Sequence, residues 1–415
     1  MKRIGKASAL WLVSGSVLLG LAAPAGAAPA PHGAGRGDRL ERALDAVHEA
    51  GMPGIYATVK DGTSVWNGAS GVADTRTLRP VRPGFKHRVG SITTTFTAVA
   101  VLQEVSRGRI ELDAPIGRYL GTLVPADLGE QVTVRMLLNH TSGLGDYFAA
   151  AFPSLNQGSP KDLDDNRYRT YTPEELLRLG LAQPRVAKPG ERWAYASTNY
   201  VLAGLVLEKA TGQSAASHIT RNVIRPAGLW RTYFPGSSPR IRGPHSKAYE
   251  SFFGMIDPAK DYSTYNMSVA WTSGELISTT GDVARFFRKL FAGRLIPAAQ
   301  LAEMKRTVPV LDPQGNQVGE YGLGITVTDL GRCGRFWGHG GTAFGMATES
   351  LISEDSRRQL VYGVNATNYQ RFDENGGLKP HPIDKARAQL VQDSLCQNST
   401  ASSTRYRVNL QGLVP

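Results

Sequence analysis

The chain has 415 residues, an apolar fraction of 41% and a formal net charge of +12. That length and apolar content suit one large two-lobed domain or two small ones, and they exclude a disordered or fibrous chain. Its eight histidines and two cysteines show no metal-ligand spacing, and no module for nucleic acid is visible, so neither metal, cofactor nor nucleic acid is expected.

Lys2, Arg3 and Lys6 precede a mostly apolar run from Ala9 to Leu21, and Ala25-Gly26-Ala27 follows. This is the pattern of a secretory signal peptide over residues 1–27, and the apolar run is short for a membrane span. The expectation is a secreted protein, extracellular or in the cell wall, without a stable membrane span. Subtracting those three cations from 47 Lys and Arg, against 35 Asp and Glu, leaves +9. The basic residues form no dense run, so they read as a generally solvated surface, ahead of one drawn to an anionic wall polymer or lipid.

Residues 28–37 are rich in Ala, Pro and Gly and read as disordered. Asp38 can cap a helix carrying Leu40, Leu44 and Val47 at helical spacing. Two strands, 55–59 and 64–72, flank an Asp61-Gly62 turn. Phe96, Val99, Ala100 and Gln103 suit a mostly buried helix over 91–105. Further helices are predicted over 133–138, from Thr172-Pro173 onward, and over 200–211 before Gly212. The last third reads as strands at 321–329, 334–337, 346–352 and 359–365, a closing helix at 382–396 and a polar tail at 398–415.

Strands at both ends with helices between predict an α/β (α+β) fold. One antiparallel sheet is built from both chain ends and flanked by helices, with an inserted, mostly helical lobe. A single domain over 38–397 divides into an α/β lobe (38–88 and 268–397) and a helical lobe (89–267). Cys333 and Cys396 are expected to form a disulfide, given export. It would close a loop of about 64 residues, for roughly 4 kcal/mol in the chain-entropy treatment.

Six stretches carry the chemistry: Arg88-Val89-Gly90-Ser91, Leu112-Asp113-Ala114-Pro115-Ile116, the run from Thr133 to Leu144 containing Asn139-His140-Thr141-Ser142-Gly143, Pro189-Gly190-Glu191-Arg192-Trp193-Ala194-Tyr195, Tyr321-Gly322-Leu323-Gly324, and Gly338-His339-Gly340-Gly341. In that order, from about residue 38 to 397, the chain resembles the serine β-lactamase and penicillin-binding superfamily. It is most similar there to exported actinobacterial D-alanyl-D-alanine carboxypeptidases and related esterases.

The resemblance implies a β-lactamase/transpeptidase-like fold with Ser91 as acyl-enzyme nucleophile and Tyr195 as its proton relay. It implies His339-Gly340-Gly341 as the opposite wall, with Thr342 and Trp271 beside the substrate. The N–H of Ser91 and one from the strand after Gly341 would form an oxyanion hole.

Four departures stand out. Thr94 occupies the usual lysine position and Ser197 the usual asparagine position. Residues 325–328 lack a cation to hold a substrate carboxylate, and His87 stands for a common phenylalanine. A threonine cannot take the serine proton as a desolvated lysine can. Without that positive charge, Tyr195 should stay protonated and be a poor base. His339, acting through Tyr195, and His87 are the candidate replacements.

These readings predict a monomeric serine hydrolase or acyltransferase, weakly active on esters or peptide-type substrates. The alternatives are a non-catalytic binder of peptidoglycan stem peptides or β-lactams, and a biosynthetic acyl-transfer enzyme for a secreted small molecule.

Overall fold

The computed structural model describes residues 35–374 and 376–396. The predicted signal peptide and the 398–415 tail lie outside the described residues.

Helix α1 (Arg36–Glu49) begins two residues before Asp38. Asp38 does not precede the helix. It sits in the first turn and accepts from the Gly35 N–H at 3.1 Å, where a carboxylate suits the positive helix end. Leu40, Ala43, Leu44 and Val47 form the buried face. The other helices used below are α2 (Ile92–Ser106), α3 (Val134–Leu138), α4 (Pro173–Leu181), α5 (Ser197–Thr211), α6 (Thr280–Phe291) and α7 (Pro382–Leu395). Thr172 caps α4, accepting from the Glu175 N–H, with Pro173 in the first turn as predicted.

Strands β1 (Gly54–Asp61), β2 (Ser64–Asp74) and β3 (Arg79–Pro80) come from the N-terminal end. Strands β4 (Val308–Leu311), β5 (Gln317–Tyr321), β6 (Thr326–Asp329), β7 (Arg335–Ala343), β8 (Met346–Ser353) and β9 (Arg358–Val364) come from the C-terminal third. They form one nine-stranded sheet in the order β3-β2-β1-β9-β8-β7-β6-β5-β4. All its pairings are antiparallel, and β1 closes on β9 with Ile55 opposite Val364.

Residues 321–329 form two strands, not the one predicted. Gly324 has φ 74°, and a Cβ at Gly322 would lie 2.2 Å from the Met304 carbonyl oxygen, so the chain turns between Tyr321 and Thr326.

Side chains alternate across the sheet. Phe336, Leu351, Leu360 and Tyr362 face the core under α1 and α7. Trp337, Ile352 and Val361 face the larger core with α2, α5 and α6. Helix α2 is buried from Ile92 to Glu104, between the sheet and α5. The Phe96 and Phe286 rings stack at 3.7 Å, joining α2 to α6. Cys333 and Cys396 form a disulfide with Cα atoms 5.1 Å apart, which ties the end of α7 to the turn before β7. No helix among the described residues is long and apolar enough to cross a membrane.

Candidate active site

Ser91 stands at the N-terminus of α2, where the first backbone N–H groups have no acceptor inside the helix. Its side chain makes no capping bond and the residue is 6% exposed. The turn before it is pressed against β7. A Cβ at Gly341 would lie 2.0 Å from the Val89 carbonyl oxygen and 2.6 Å from the Ser91 nitrogen. A Cβ at Gly90 would lie 2.5 Å from the Thr342 nitrogen. Glycine at both positions brings strand backbone to the serine turn. Thr342 itself is half-buried.

The threonines after Ser91 stitch the site together. Thr93 donates to the Gly90 carbonyl at 2.7 Å, Thr95 to Gly324 at 2.7 Å and Thr97 to Thr272 at 2.8 Å. Thr94 is fully buried, and its hydroxyl donates to the Ser91 carbonyl at 2.7 Å. The phenols of Tyr200 and Tyr321 lie beside Thr94.

Tyr195 enters from the segment before α5. Burial holds its phenol well above the usual range, and the neighbouring Ser91 hydroxyl pulls it partly back. That approach falls short of hydrogen-bond geometry, leaving the Tyr195 hydroxyl buried without a partner. Ser197 does not take the role of an amide beside Ser91. Its N–H donates to Asp146 Oδ2 at 2.5 Å, and its hydroxyl also acts on that buried carboxyl. Burial raises the Asp146 pKa.

His140, absent from the sequence-based candidates, sits at the centre. Its Nδ1 accepts from the Ala196 N–H at 3.3 Å and from the Asn199 side-chain amide at 3.0 Å. The ring proton therefore belongs on Nε2, which is buried without a partner. The ring centroid lies 4.2 Å from that of Tyr195 and 5.0 Å from that of Tyr321. Burial, then the neighbouring His339, push its pKa well down.

His339 points to the same side of β7 as Trp337. It meets Tyr321, not Tyr195: the Tyr321 hydroxyl lies 2.8 Å from Nε2. Its Nδ1 faces the Gly340 carbonyl, which can only accept, so Nδ1 carries the proton and Nε2 accepts from Tyr321. Burial lowers the His339 pKa to about 4. Tyr200 donates to the Leu138 carbonyl at 2.8 Å, and burial raises the pKa of both Tyr200 and Tyr321. The cluster is thus three protonated phenols and two neutral imidazoles.

One candidate base packs elsewhere. His87 is buried against Tyr56, with ring centroids 5.1 Å apart, and its Nε2 lies 3.1 Å from where a Cβ at Gly363 would stand. It pairs with Ser278 in a separate two-stranded ladder, and its ring packs against β1 and β9. Trp271 packs its ring on α5, 2.8 Å from where a Cβ at Gly204 would stand. Gly340 is backed from behind the sheet by the Glu349 carboxyl, 3.1 Å from its would-be Cβ. Sequence reasoning missed His140, Asn199, Tyr200 and Tyr321. Tyr321 and His140 both lay inside stretches already singled out, and Asn199 lies one helical turn beyond Tyr195.

Residues 38–376 match the family described as Beta-lactamase. The chain is 26% identical over 401 residues to penicillin-binding protein 4* of Bacillus subtilis (strain 168), covering 86% of this chain and 84% of that one. It is 35% identical over 208 residues to esterase EstB of Burkholderia gladioli, about half of each chain (48% and 52%). Among solved structures, a D-stereospecific amidohydrolase from Streptomyces sp. superposes with a TM-score of 0.75 at 34% identity, covering 87% of this chain and 98% of that one.

Proposed function

The chain belongs to the β-lactamase family, and from that premise we propose a slow, Ser91-dependent acyl-enzyme hydrolase of esters and reactive amides. The observation that carries this reading is an intact nucleophile turn set in a site without a cation. The serine N–H and the β7 backbone after Gly341 lie close enough to cradle an oxyanion, commonly a large term in acyl transfer. Esterase and amidohydrolase relatives support the substrate class.

Ser91 Oγ would attack the carbonyl and lose its proton toward Tyr195. In this reading Thr94 stands where the family's lysine would. Its hydroxyl bonds the Ser91 carbonyl and cannot take the proton. Tyr195, raised by burial, is a reluctant acceptor. The absence of a positioned general base is worth about 10²–10⁴ in rate, which makes proton transfer the slow event. Ile325 and Thr326 offer no charge to a substrate carboxylate, and the Thr326 hydroxyl bonds the Gly338 carbonyl at 3.1 Å. Substrates ending in a free carboxylate are therefore disfavoured. The N-terminal pattern supports export as part of the same proposal.

A second reading, a binding protein that keeps the cleft, is favoured by the same unassisted phenol. Hydrolysis of p-nitrophenyl esters by the wild type and by Ser91→Ala separates the two. The hydrolase reading expects slow turnover that vanishes in Ser91→Ala. An unchanged rate in that variant removes Ser91 as nucleophile. A wild type with no turnover on any ester or amide favours the binding protein, and calorimetry with D-Ala-D-Ala-ended peptides then tests it.

A further inference from the structure

The basic residues are scattered in sequence but not in space. From Thr75 to Gln103 the chain has no Asp or Glu, and from Lys209 to Tyr249 again none. The fold lays these two acid-free segments side by side. Lys86 bridges to His245 as parallel backbone, and its ammonium donates to the Arg242 carbonyl at 2.8 Å. Arg79 donates to the His245 carbonyl at 2.8 Å. Arg231 reaches the Gly84 carbonyl at 3.5 Å. Arg242 and Lys86 both lie over the Tyr233 ring, at 4.2 and 5.6 Å.

Six cations result: Arg79, Arg82, Lys86, Arg231, Arg240 and Arg242. Lys86 is half-buried and the other five are exposed. None forms an ion pair with a carboxylate among the described residues, whereas the nearby Lys247 is paired with Asp261. Next to Arg231 stands Trp230, 82% exposed, and next to Arg79 stands Leu78, 69% exposed. An indole this open has no packing role in the fold. Beside a field of unpaired guanidinium groups it has the form of an interfacial anchor, apolar in body and polar at one edge.

We propose that this face docks on an anionic lipid bilayer, with the cations on the headgroups and Trp230 in the headgroup–acyl boundary. Charge complementarity alone would equally suit a soluble polyanion. The exposed Trp230 and Leu78 favour the bilayer, because a phosphodiester polymer in water offers them nothing apolar.

Flotation of the purified protein with phosphatidylglycerol/phosphatidylcholine vesicles, at low and at physiological salt, tests this. Each cation removed should weaken binding roughly fivefold, so Arg231→Gln with Arg242→Gln should fall about 25-fold. Trp230→Ala should fall about tenfold. It has no packing to lose, so it remains readable if the double variant folds poorly. Binding should weaken with salt, as screened charge contacts do. Equal binding to pure phosphatidylcholine would overturn the proposal, as would a Trp230→Ala variant that binds like the wild type. Tight binding of soluble polyphosphate with no flotation on anionic vesicles would also overturn it, in favour of a polymer partner.

Discussion

The two sides of β7 and β8 surround their tyrosine hydroxyls differently. Behind the sheet, Arg387 is 6% exposed, yet it stays a cation. Its guanidinium donates to the Tyr362 hydroxyl at 3.1 and 3.2 Å and to the Tyr369 hydroxyl at 3.2 Å. Tyr369 passes the chain on to Asp384 at 2.7 Å. In front, the buried Arg88 donates to the Tyr262 and Ser263 carbonyls at 2.7 and 2.9 Å, away from the phenols, and the groups packed around Thr94 are phenols and imidazoles held neutral by burial. Gly340 and Glu349, paired across the strands, mark the boundary. The fold can hold a buried cation when tyrosine hydroxyls accept its protons. Tyrosine hydroxyls are present on both sides. What differs is the residue that would bring the charge: Arg387 behind, Thr94 in front.

Removing the rear charge should have the largest effect. Arg387→Met leaves Glu349 and the Tyr362 hydroxyl without their cation. It should lower the unfolding free energy by roughly 3–5 kcal/mol, read from urea titration. A loss below about 1 kcal/mol would mean that the rear network is no stronger than surface pairing, and the contrast would collapse.

Adding a charge in front should change rate. Thr94→Lys is expected to raise ester hydrolysis at least about tenfold, the low side of what a positioned base supplies. The shortfall follows from Ser197, which is engaged with Asp146 and cannot orient the new amine. The variant should also melt at a lower temperature, because the ammonium enters a fully buried site between Tyr200 and Tyr321. A folded but inert variant would show that more than this one residue separates the site from an active one.

Much of this contrast was legible in the sequence and part was not. The sheet from both chain ends and the order of the motifs that carry Ser91, His140, Tyr321 and His339 follow from local pattern, whereas the close packing of Gly90 and Gly341 on the serine turn does not. Nor does ring direction. His339 and Tyr321 lie 18 positions apart on different strands, and only the turn at Gly322–Gly324 brings them within 2.8 Å. The same turn breaks what reads as one strand. The extended stretch through His87 ends at Arg88 and the chain turns at Gly90, φ 53°, before Ser91, so His87 packs on Tyr56 and Gly363 instead of sharing a side with the serine. The cationic face escaped for a related reason: neither acid-free segment is dense alone.

A pH titration of stability sharpens the rear half. Burial pushes the Glu349 carboxyl from 4.5 up to about 7. Its folded pKa thus lies above its unfolded one, so the native state binds more protons between those values. This contribution to stability is full below pH 4.5 and is lost as pH rises through about 7. Glu349→Gln should flatten part of that decline. The rest should persist, because Glu250 and Glu275 are pushed up to about 7 and about 8 in the same way. An unchanged slope would show that Glu349 is already ionised beside Arg387.

A smaller effect concerns the pH–rate profile. A route through His339 predicts activity flat above about pH 5, since its pKa is about 4. A route limited by Tyr195 predicts activity still climbing at about pH 9, because the phenol's reference value is near 10 and burial raises it. The second is expected, and His339→Gln should leave the slope intact. A plateau that disappears in His339→Gln would transfer the proton to the imidazole.

The central claim is that Ser91 is an intact nucleophile slowed by a neutral surrounding. Intact-protein mass, followed over time with a penicillin, tests it most directly in the wild type, Thr94→Lys and Ser91→Ala. The account predicts slow single-acyl addition to the wild type, addition at least about tenfold faster in Thr94→Lys, and none in Ser91→Ala. Stoichiometric labelling of the wild type within seconds at micromolar drug would contradict it.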